Sequence, residues 1–195
     1  MTKQFIIVVD TQGDFMLADG ALSVEGAAAL AKPMQSWLNA LEPETTAGIL
    51  FTFDTHFEET YYSMPESKEF PIHCVRGTKG WENQLSWSGI DADIPVWRIE
   101  KGVFNMWEEA GLKMEPVSGG DSVDREAFFE ALKADGINHV TVIGVAADYC
   151  VKWAVEGLVA RGLAVTVPEG LTKGIHRQIE QVIQEEFPQK PVFLD

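Results

Sequence analysis

Two sets of side chains in this sequence have the types and spacing for chemistry. The first is Asp10, Lys101 and Cys150. A thiol beside a carboxylate can give up its proton and attack an electrophilic carbon. The carboxylate then hands that proton to the leaving group. A neighbouring lysine stabilises the thiolate and keeps the aspartate ionised. The second set is Asp54-Thr-His56, followed across a long loop by His73. One carboxylate oxygen and two imidazole nitrogens form a ligand set for zinc, manganese or iron, with positions left open for water or substrate. Glu66, in MPESKEFP, adds a further donor, directly or through water, or is an ordinary solvated loop charge.

The elements that must hold these residues are strands of a mostly parallel sheet. Val140 to Val145 is a short β-branched apolar run, and the helix after it has apolar residues at Val151, Ala154, Val155, Leu158 and Val159. A strand, a small-residue turn and a helix make half of a βαβ unit, whose functional atoms lie at the carboxyl end of the strand. Cys150 falls at the start of that helix. Unpaired N–H groups and the positive dipole end favour thiolate there, and such surroundings lower a cysteine from about 8.5 to roughly 3.5–7.5.

The other strands follow the same logic. Phe5 to Val9 and Ala47 to Phe53 are continuous apolar runs of the kind that sheets covered on both faces require, and they end on Asp10 and Asp54. Val96 to Ile99 is a third strand ending at Glu100-Lys101, and Leu163 to Val167 is a fifth. Carboxyl ends of parallel strands share one edge, so Asp10, Asp54, Lys101 and Cys150 can converge on one crevice. Any one of them alone reads as well as a polar cap on the next turn. Helices are expected over Glu25 to Leu41, with Pro33 forcing a kink or a later start, over Asp124 to Asp135 behind a Ser122 or Asp124 cap, and over Ile175 to Phe187. The inner face of the Asp124 helix is expected to carry Ala127, Phe128, Ala131 and Leu132. Thr11 to Val24, Thr55 to Ser88 and Gly102 to Ser122 read as irregular, and Pro191 to Leu194 as a short terminal strand. Strands alternating with helices give an α/β class, and no repeat or linker divides residues 1–195, which are read as one domain.

Of the 195 residues 46% are hydrophobic, enough for a sizeable core, and the formal charge is -15. That charge excludes nucleic acid and anionic membrane surfaces as partners. No apolar stretch nears the roughly 20 residues that cross a bilayer. Two cysteines, and MTKQ running straight into an apolar strand, lead to the expectation of free thiols in a soluble cytoplasmic protein.

Taken together, Val8-Val-Asp-Thr-Gln-Gly-Asp-Phe15, Gly20-Ala-Leu-Ser-Val24, Asp54-Thr-His56, His73-Cys-Val-Arg-Gly-Thr78, Lys101-Gly102 and Gly144-Val-Ala-Ala-Asp-Tyr-Cys150 resemble the nicotinamidases of the isochorismatase-like cysteine hydrolases. The resemblance implies a Rossmann-like three-layer sandwich around a six-stranded parallel sheet. It implies an Asp10–Lys101–Cys150 triad and a divalent metal, zinc first and manganese or iron next, at Asp54, His56 and His73. The metal's open position would take the ring nitrogen of nicotinamide. An oxyanion hole would use the N–H groups of Ala146 and Cys150, with a cis peptide at Val145-Ala146. Phe15, Phe70, Val145 and Ala146 would touch the substrate. The products would be nicotinate and ammonia, in NAD salvage. Val103-Phe-Asn-Met-Trp107 replaces a Ser/Tyr-rich family segment, and Ala147 stands where threonine is frequent. Both leave open another small amide, ureide or carbamoyl substrate. Cys150 argues against vinyl-ether hydrolysis, because isochorismatases proper lack that nucleophile.

Some residues carry blander readings. Cys74 is expected to be a packed structural thiol, and Trp37 to belong to the core. Trp81, Trp87, Trp97 and Trp107 sit in segments around the expected site and suit a substrate wall, core packing or the subunit interface of a homo-oligomer equally well. His139 and His176 read as structural or exposed.

Overall fold

Strand β1 (Gln4–Val9) is buried along almost its whole length, as its unbroken apolar run requires. The computed structural model describes residues 3–195. After β1 come a single helical turn α1 (Gly13–Met16), helix α2 (Ala31–Asn39), strand β2 (Thr46–Asp54) and the short α3 (Glu58–Tyr61). Strands β3 (Val96–Lys101), β4 (Lys113–Pro116) and β5 (Val123–Asp124) lead to α4 (Arg125–Ala134). Then follow β6 (His139–Val145), α5 (Cys150–Ala160), β7 (Ala164–Val167), β8 (Thr172–Lys173), α6 (Ile179–Glu186) and β9 (Val192–Leu194).

The sheet runs in the order β5-β4-β3-β2-β1-β6-β7-β9, with β8 extending the pairing of β6. From β3 to β9 every pairing is parallel, which gives the six-stranded parallel core. Strand β4 adds an antiparallel edge inside the segment expected to be irregular, and β5 pairs with it just beyond that segment, before α4; four-residue and two-residue strands of mostly exposed residues leave little periodic signal. Alternate residues of each strand divide between two cores. Phe5, Ile7, Val9, Val142 and Val165 pack under α4, α5 and α6, whereas Ile6, Val8, Phe51 and Ile143 pack on the α2 side. The layers are therefore helix, sheet, helix.

Several boundaries differ from the pattern in the sequence. A 3-10 turn over Ala27–Leu30 precedes α2, and Pro33 falls in its first turn, where its missing N–H costs little. Asp124 caps α4 by accepting from the N–H groups of Glu126 and Ala127. That helix buries Arg125, Phe128, Phe129 and Leu132, while Ala127 and Ala131 face solvent, because the two bulky phenyl rings take the inward face. Helix α6 begins at Ile179 rather than Ile175 because Asp148 accepts from the N–H groups of Ile175, His176 and Arg177 and holds that stretch as a turn. Gly144, at φ +123°, pairs with Val9 so closely that a Cβ would run into the Val9 carbonyl. This close approach sets the carboxyl ends of β1 and β6 side by side. No helix among the described residues is long and apolar enough to cross a membrane.

Candidate active site

Strand register brings the four strand-end groups together. Asp54 and Lys101 are direct partners across β2 and β3, and Asp10 follows β1 between β2 and β6. Lys101 Nζ stands 2.8 Å from Asp10 Oδ2, 3.3 Å from Asp54 Oδ1 and 3.7 Å from Cys150 Sγ. All four residues are buried. Asp10 adopts φ +46°, a left-handed conformation that aspartate tolerates better than most residues. Thr52 fixes it there, donating to Asp10 Oδ1 at 2.5 Å and accepting from its N–H at 3.1 Å.

The electrostatics correct one expectation. Burial pushes the Cys150 thiol well above its ordinary value; Lys101 opposes this, but Asp10 and Asp54 add to the rise. Burial and the two carboxylates therefore favour thiol over thiolate. The helix N-terminus and one ammonium do not outweigh a dry site with two carboxylates. Burial likewise disfavours the Lys101 ammonium, yet Asp10 and Asp54 hold it well above the usual lysine range.

Asp54 faces two ways. Its Oδ1 meets Lys101, while its Oδ2 lies 3.1 Å from His56 Nε2 and 3.0 Å from His73 Nε2. Glu66 Oε1 closes the ring at 3.3 Å from His56 Nε2 and 3.2 Å from His73 Nε2. Donor atoms of Asp54, His56, Glu66 and His73 all lie within 4.8 Å of one another; Cys150 is outside this group. Donors sharing one ion at roughly 2.0–2.2 Å stand about 2.8–3.6 Å apart, so the four contacts fit a shared cation. Each Nε2 has a single position for a proton and cannot point it at both carboxylates at once. Glu66 Oε1 is accordingly buried without a well-aligned donor. The donor set thus suits a divalent metal, and Glu66 belongs to it.

Without an ion the ring is held by protons. Burial disfavours charge on His56 and His73, but the adjacent carboxylates of Asp54 and Glu66 push them up to about 9 and about 10. Burial would raise Asp54 too, yet Lys101 and the two imidazoles keep it well below the usual carboxylate range. His73 is oriented by Pro71, whose carbonyl lies 2.8 Å from His73 Nδ1. Tyr61 packs its ring on both imidazoles and donates to the carbonyls of Phe70 and Pro71.

Gln12 has a role that its place in the first motif did not disclose. Its amide nitrogen donates to the carbonyls of Asp54 and Trp81, and its oxygen accepts from the Asp54 N–H at 2.7 Å. The side chain thereby bolts the end of β2 to the loop from β1.

The turn before α5 has a cis peptide at Val145-Ala146. Among the described residues, the N–H groups of Ala146 and Cys150 have no acceptor. Two such donors beside a thiol can hold a developing oxyanion. Phe15 packs against His73 with centroids 5.3 Å apart, and Phe70 packs against Phe104 and Tyr149. Phe104, in the segment that departs from the resembled pattern, stacks on His73 at 5.9 Å and 19° and on Trp153 at 5.9 Å and 14°. Nothing in the sequence marked Phe104, in a stretch without periodicity, or Tyr149 and Trp153, beside Cys150 in the chain, as aromatic partners of the site.

The tryptophans divide. Trp81 donates to Thr55 Oγ1 and packs on Phe53, next to the site. Trp97 lies against Phe5 and Phe128 under α4, and Trp107 is wedged between Phe129 and Arg161 with its N–H on the Trp153 carbonyl. Trp87 packs on Phe51. Of the four, only Trp81 abuts the site. Cys74 is fully buried, and burial pushes its thiol well above the ordinary value, as suits a structural residue.

An isochorismatase domain model matches residues 4–184. Over 189 residues the chain is 31% identical to the nicotinamidase/pyrazinamidase of Mycobacterium tuberculosis, covering 93% of this chain and 92% of the relative. The pyrazinamidase of Pyrococcus horikoshii, solved in complex with zinc, shares the fold with TM-score 0.74 at 24% identity, over 99% of this chain and 98% of that one. PnC1 from L. infantum, solved in complex with nicotinate, superposes with TM-score 0.73 at 25% identity, over 100% of this chain and 92% of that one.

Proposed function

The chain belongs to the isochorismatase domain family, and on that premise we propose that it is a cysteine amidohydrolase converting nicotinamide to nicotinate and ammonia. The observation that carries this reading is the single ammonium of Lys101, which joins Asp10 and Cys150 to the carboxylate of the four-donor ring. A nucleophile, its proton carrier and a cation site share one buried crevice. Support for the substrate comes from the Mycobacterium tuberculosis relative, from the L. infantum protein solved with nicotinate, and from the aromatic wall of Phe15, Phe70 and Phe104.

In this reading Asp54, His56 and His73, with Glu66, hold a divalent ion, zinc being the first candidate, which supplies a Lewis-acidic anchor for the ring nitrogen. The remaining chemistry belongs to the chain. Asp10 takes the Cys150 proton as sulfur attacks the carboxamide carbon, and the Ala146 and Cys150 N–H groups receive the oxyanion. One such donor is typically worth about 3–4 kcal/mol of barrier. Asp10 returns the proton to nitrogen as the C–N bond breaks, which releases ammonia and leaves a thioester on Cys150. It then takes a proton from water as the water oxygen attacks that thioester, and gives it to the departing sulfur. Lys101 and Thr52 keep Asp10 aimed and transfer no proton. The same reading puts the protein in NAD salvage in the cytoplasm, as a homo-oligomer.

A second substrate class, small ureides or carbamoyl compounds, is favoured by the replaced segment around Phe104 and by Ala147. Ammonia release from nicotinamide, pyrazinamide and a ureide panel separates the two. Turnover confined to ureides would sink the nicotinamide reading, and no turnover on any of them would sink both. Metal analysis of the purified protein tests the ion.

A further inference from the structure

The two histidines of the donor ring are not held alike. His73 has its Nδ1 2.8 Å from the Pro71 carbonyl. His56 presents Nε2 to the ring in the same way, yet its Nδ1 is buried with no hydrogen-bond partner among the described residues. A ligating histidine ordinarily donates its second N–H to a carboxylate, a carbonyl or a water, which fixes tautomer and ring orientation. An unpartnered buried imidazole N–H is costly.

The surroundings of His56 identify what completes it. A cavity of about 270 Å3 adjoins the ring, lined among others by His56, Thr60, Glu100, Lys101 and Glu109. It is polar and large enough for ordered water. Two carboxylates border it, and they are not equivalent. Glu100 is already paired with Arg76 at 2.8 Å and lies 3.7 Å from Arg98. Glu109 is half-buried and anchored at one oxygen only, its Oε2 accepting from the Gly102 N–H at 2.7 Å. The anchor leaves Oε1 without a partner among the described residues. Gly102 directly follows Lys101, so the anchored carboxylate is fixed relative to the site.

We infer that Glu109, through a water in this cavity, accepts the Nδ1 proton of His56 and thereby holds its Nε2 ready for a metal. Glu109 is a positioning residue in this scheme and touches neither substrate nor ion. The inference rests on the metal reading above. It needs an acceptor at the oxygen that Gly102 leaves free, which makes it separable from packing. Glu109→Gln keeps the shape and one oxygen for the Gly102 N–H, but puts an amide donor in place of the free oxygen. Glu109→Ala removes both.

The test is zinc affinity by chelator competition, together with the melting temperature of the metal-free protein. Both variants should bind zinc about 10- to 100-fold more weakly than the unaltered chain. Glu109→Gln should melt as the unaltered metal-free protein does. Unchanged zinc affinity in Glu109→Gln overturns the inference and leaves the metal reading standing. A loss of affinity matched by a lower metal-free melting temperature also overturns it, since the residue would then be structural. If the unaltered chain binds no divalent ion, the metal reading fails first and this one with it.

Discussion

Asp54 and Lys101 are register partners on adjacent parallel strands, and their side chains meet at 3.3 Å with both groups buried. The contact joins the nucleophile's neighbourhood to the donor ring. Lys101 spends the rest of its charge on Asp10 at 2.8 Å. One buried cation therefore serves two buried carboxylates, and its removal strips Asp10 of its charge partner and leaves Asp54 with the two imidazoles alone.

Lys101→Met, close in shape but uncharged, should destabilise the fold by about 3–5 kcal/mol, the usual cost of stripping one partner from a buried ion pair. Activity should fall by at least a hundredfold. Urea denaturation gives the first number and steady-state kinetics the second. Adding Asp10→Asn should recover part of the stability and none of the activity.

The state of Cys150 gives a prediction in pH. Because burial and two carboxylates raise its thiol, iodoacetamide should label the free protein slowly at neutral pH, and faster only as pH rises above the ordinary cysteine value. This reverses what the helix start alone suggests. Asp10→Asn removes one of the raising charges and leaves Lys101 facing the sulfur. That variant should label at lower pH than the unaltered chain while losing turnover. Equal labelling profiles for the two would show that Asp10 does not act on the thiol.

Thr52 is invisible in the sequence, because threonine in a strand needs no explanation beyond β propensity. Its hydroxyl makes two of the contacts that fix Asp10, beside the one from Lys101. Thr52→Val keeps volume and removes them, leaving Asp10 Oδ1 short of a donor. The expected cost is about 1–3 kcal/mol of stability, with a fall in kcat and little change in KM.

What could be read from the sequence was what unbroken apolar runs deliver. Such runs end abruptly, so Asp10, Asp54 and Lys101 stood out at the edge of one sheet, and the glycine and alanines before Cys150 marked a tight turn. Residues that act across the sheet did not stand out. Gln12 holds Asp54 from 42 positions away, and Asp148 sets the start of α6 from 27 or more away. Phe104 lies in a stretch without periodicity, so nothing local shows that it reaches His73. The antiparallel edge was missed for a related reason: β4 and β5 are short and mostly exposed, and only their partners make them strands.

Metal binding should depend steeply on pH. Without an ion His56 and His73 hold their protons up to about 9 and about 10, and a ligating imidazole must be neutral. Binding therefore expels these protons at neutral pH, and affinity should rise with pH until both groups are neutral. The limit for two coupled protons is roughly two powers of ten per pH unit. Zinc affinity measured against a chelator from pH 6 to 9 gives the slope, and a flat profile would mean that the ring is not held by protons when metal-free.

Phe104 tests the substrate. It lies nearly parallel to His73 and meets Phe70 edge-on, so it can press on a flat ring bound beside the donor set. An aromatic contact of this kind contributes about 0.5–1.5 kcal/mol beyond its buried area. For nicotinamide, Phe104→Ala should raise KM by about tenfold and change kcat little, because a phenyl ring carries no proton or nucleophile and acts on the bound ring alone. A small ureide has no ring to lose, and its KM should stay nearly constant. Steady-state kinetics on both compounds reads the difference directly. A fall in kcat with KM unchanged would instead mean that Phe104 serves the donor ring by holding His73 in place, and the aromatic wall would then be part of the ion site rather than of the substrate pocket.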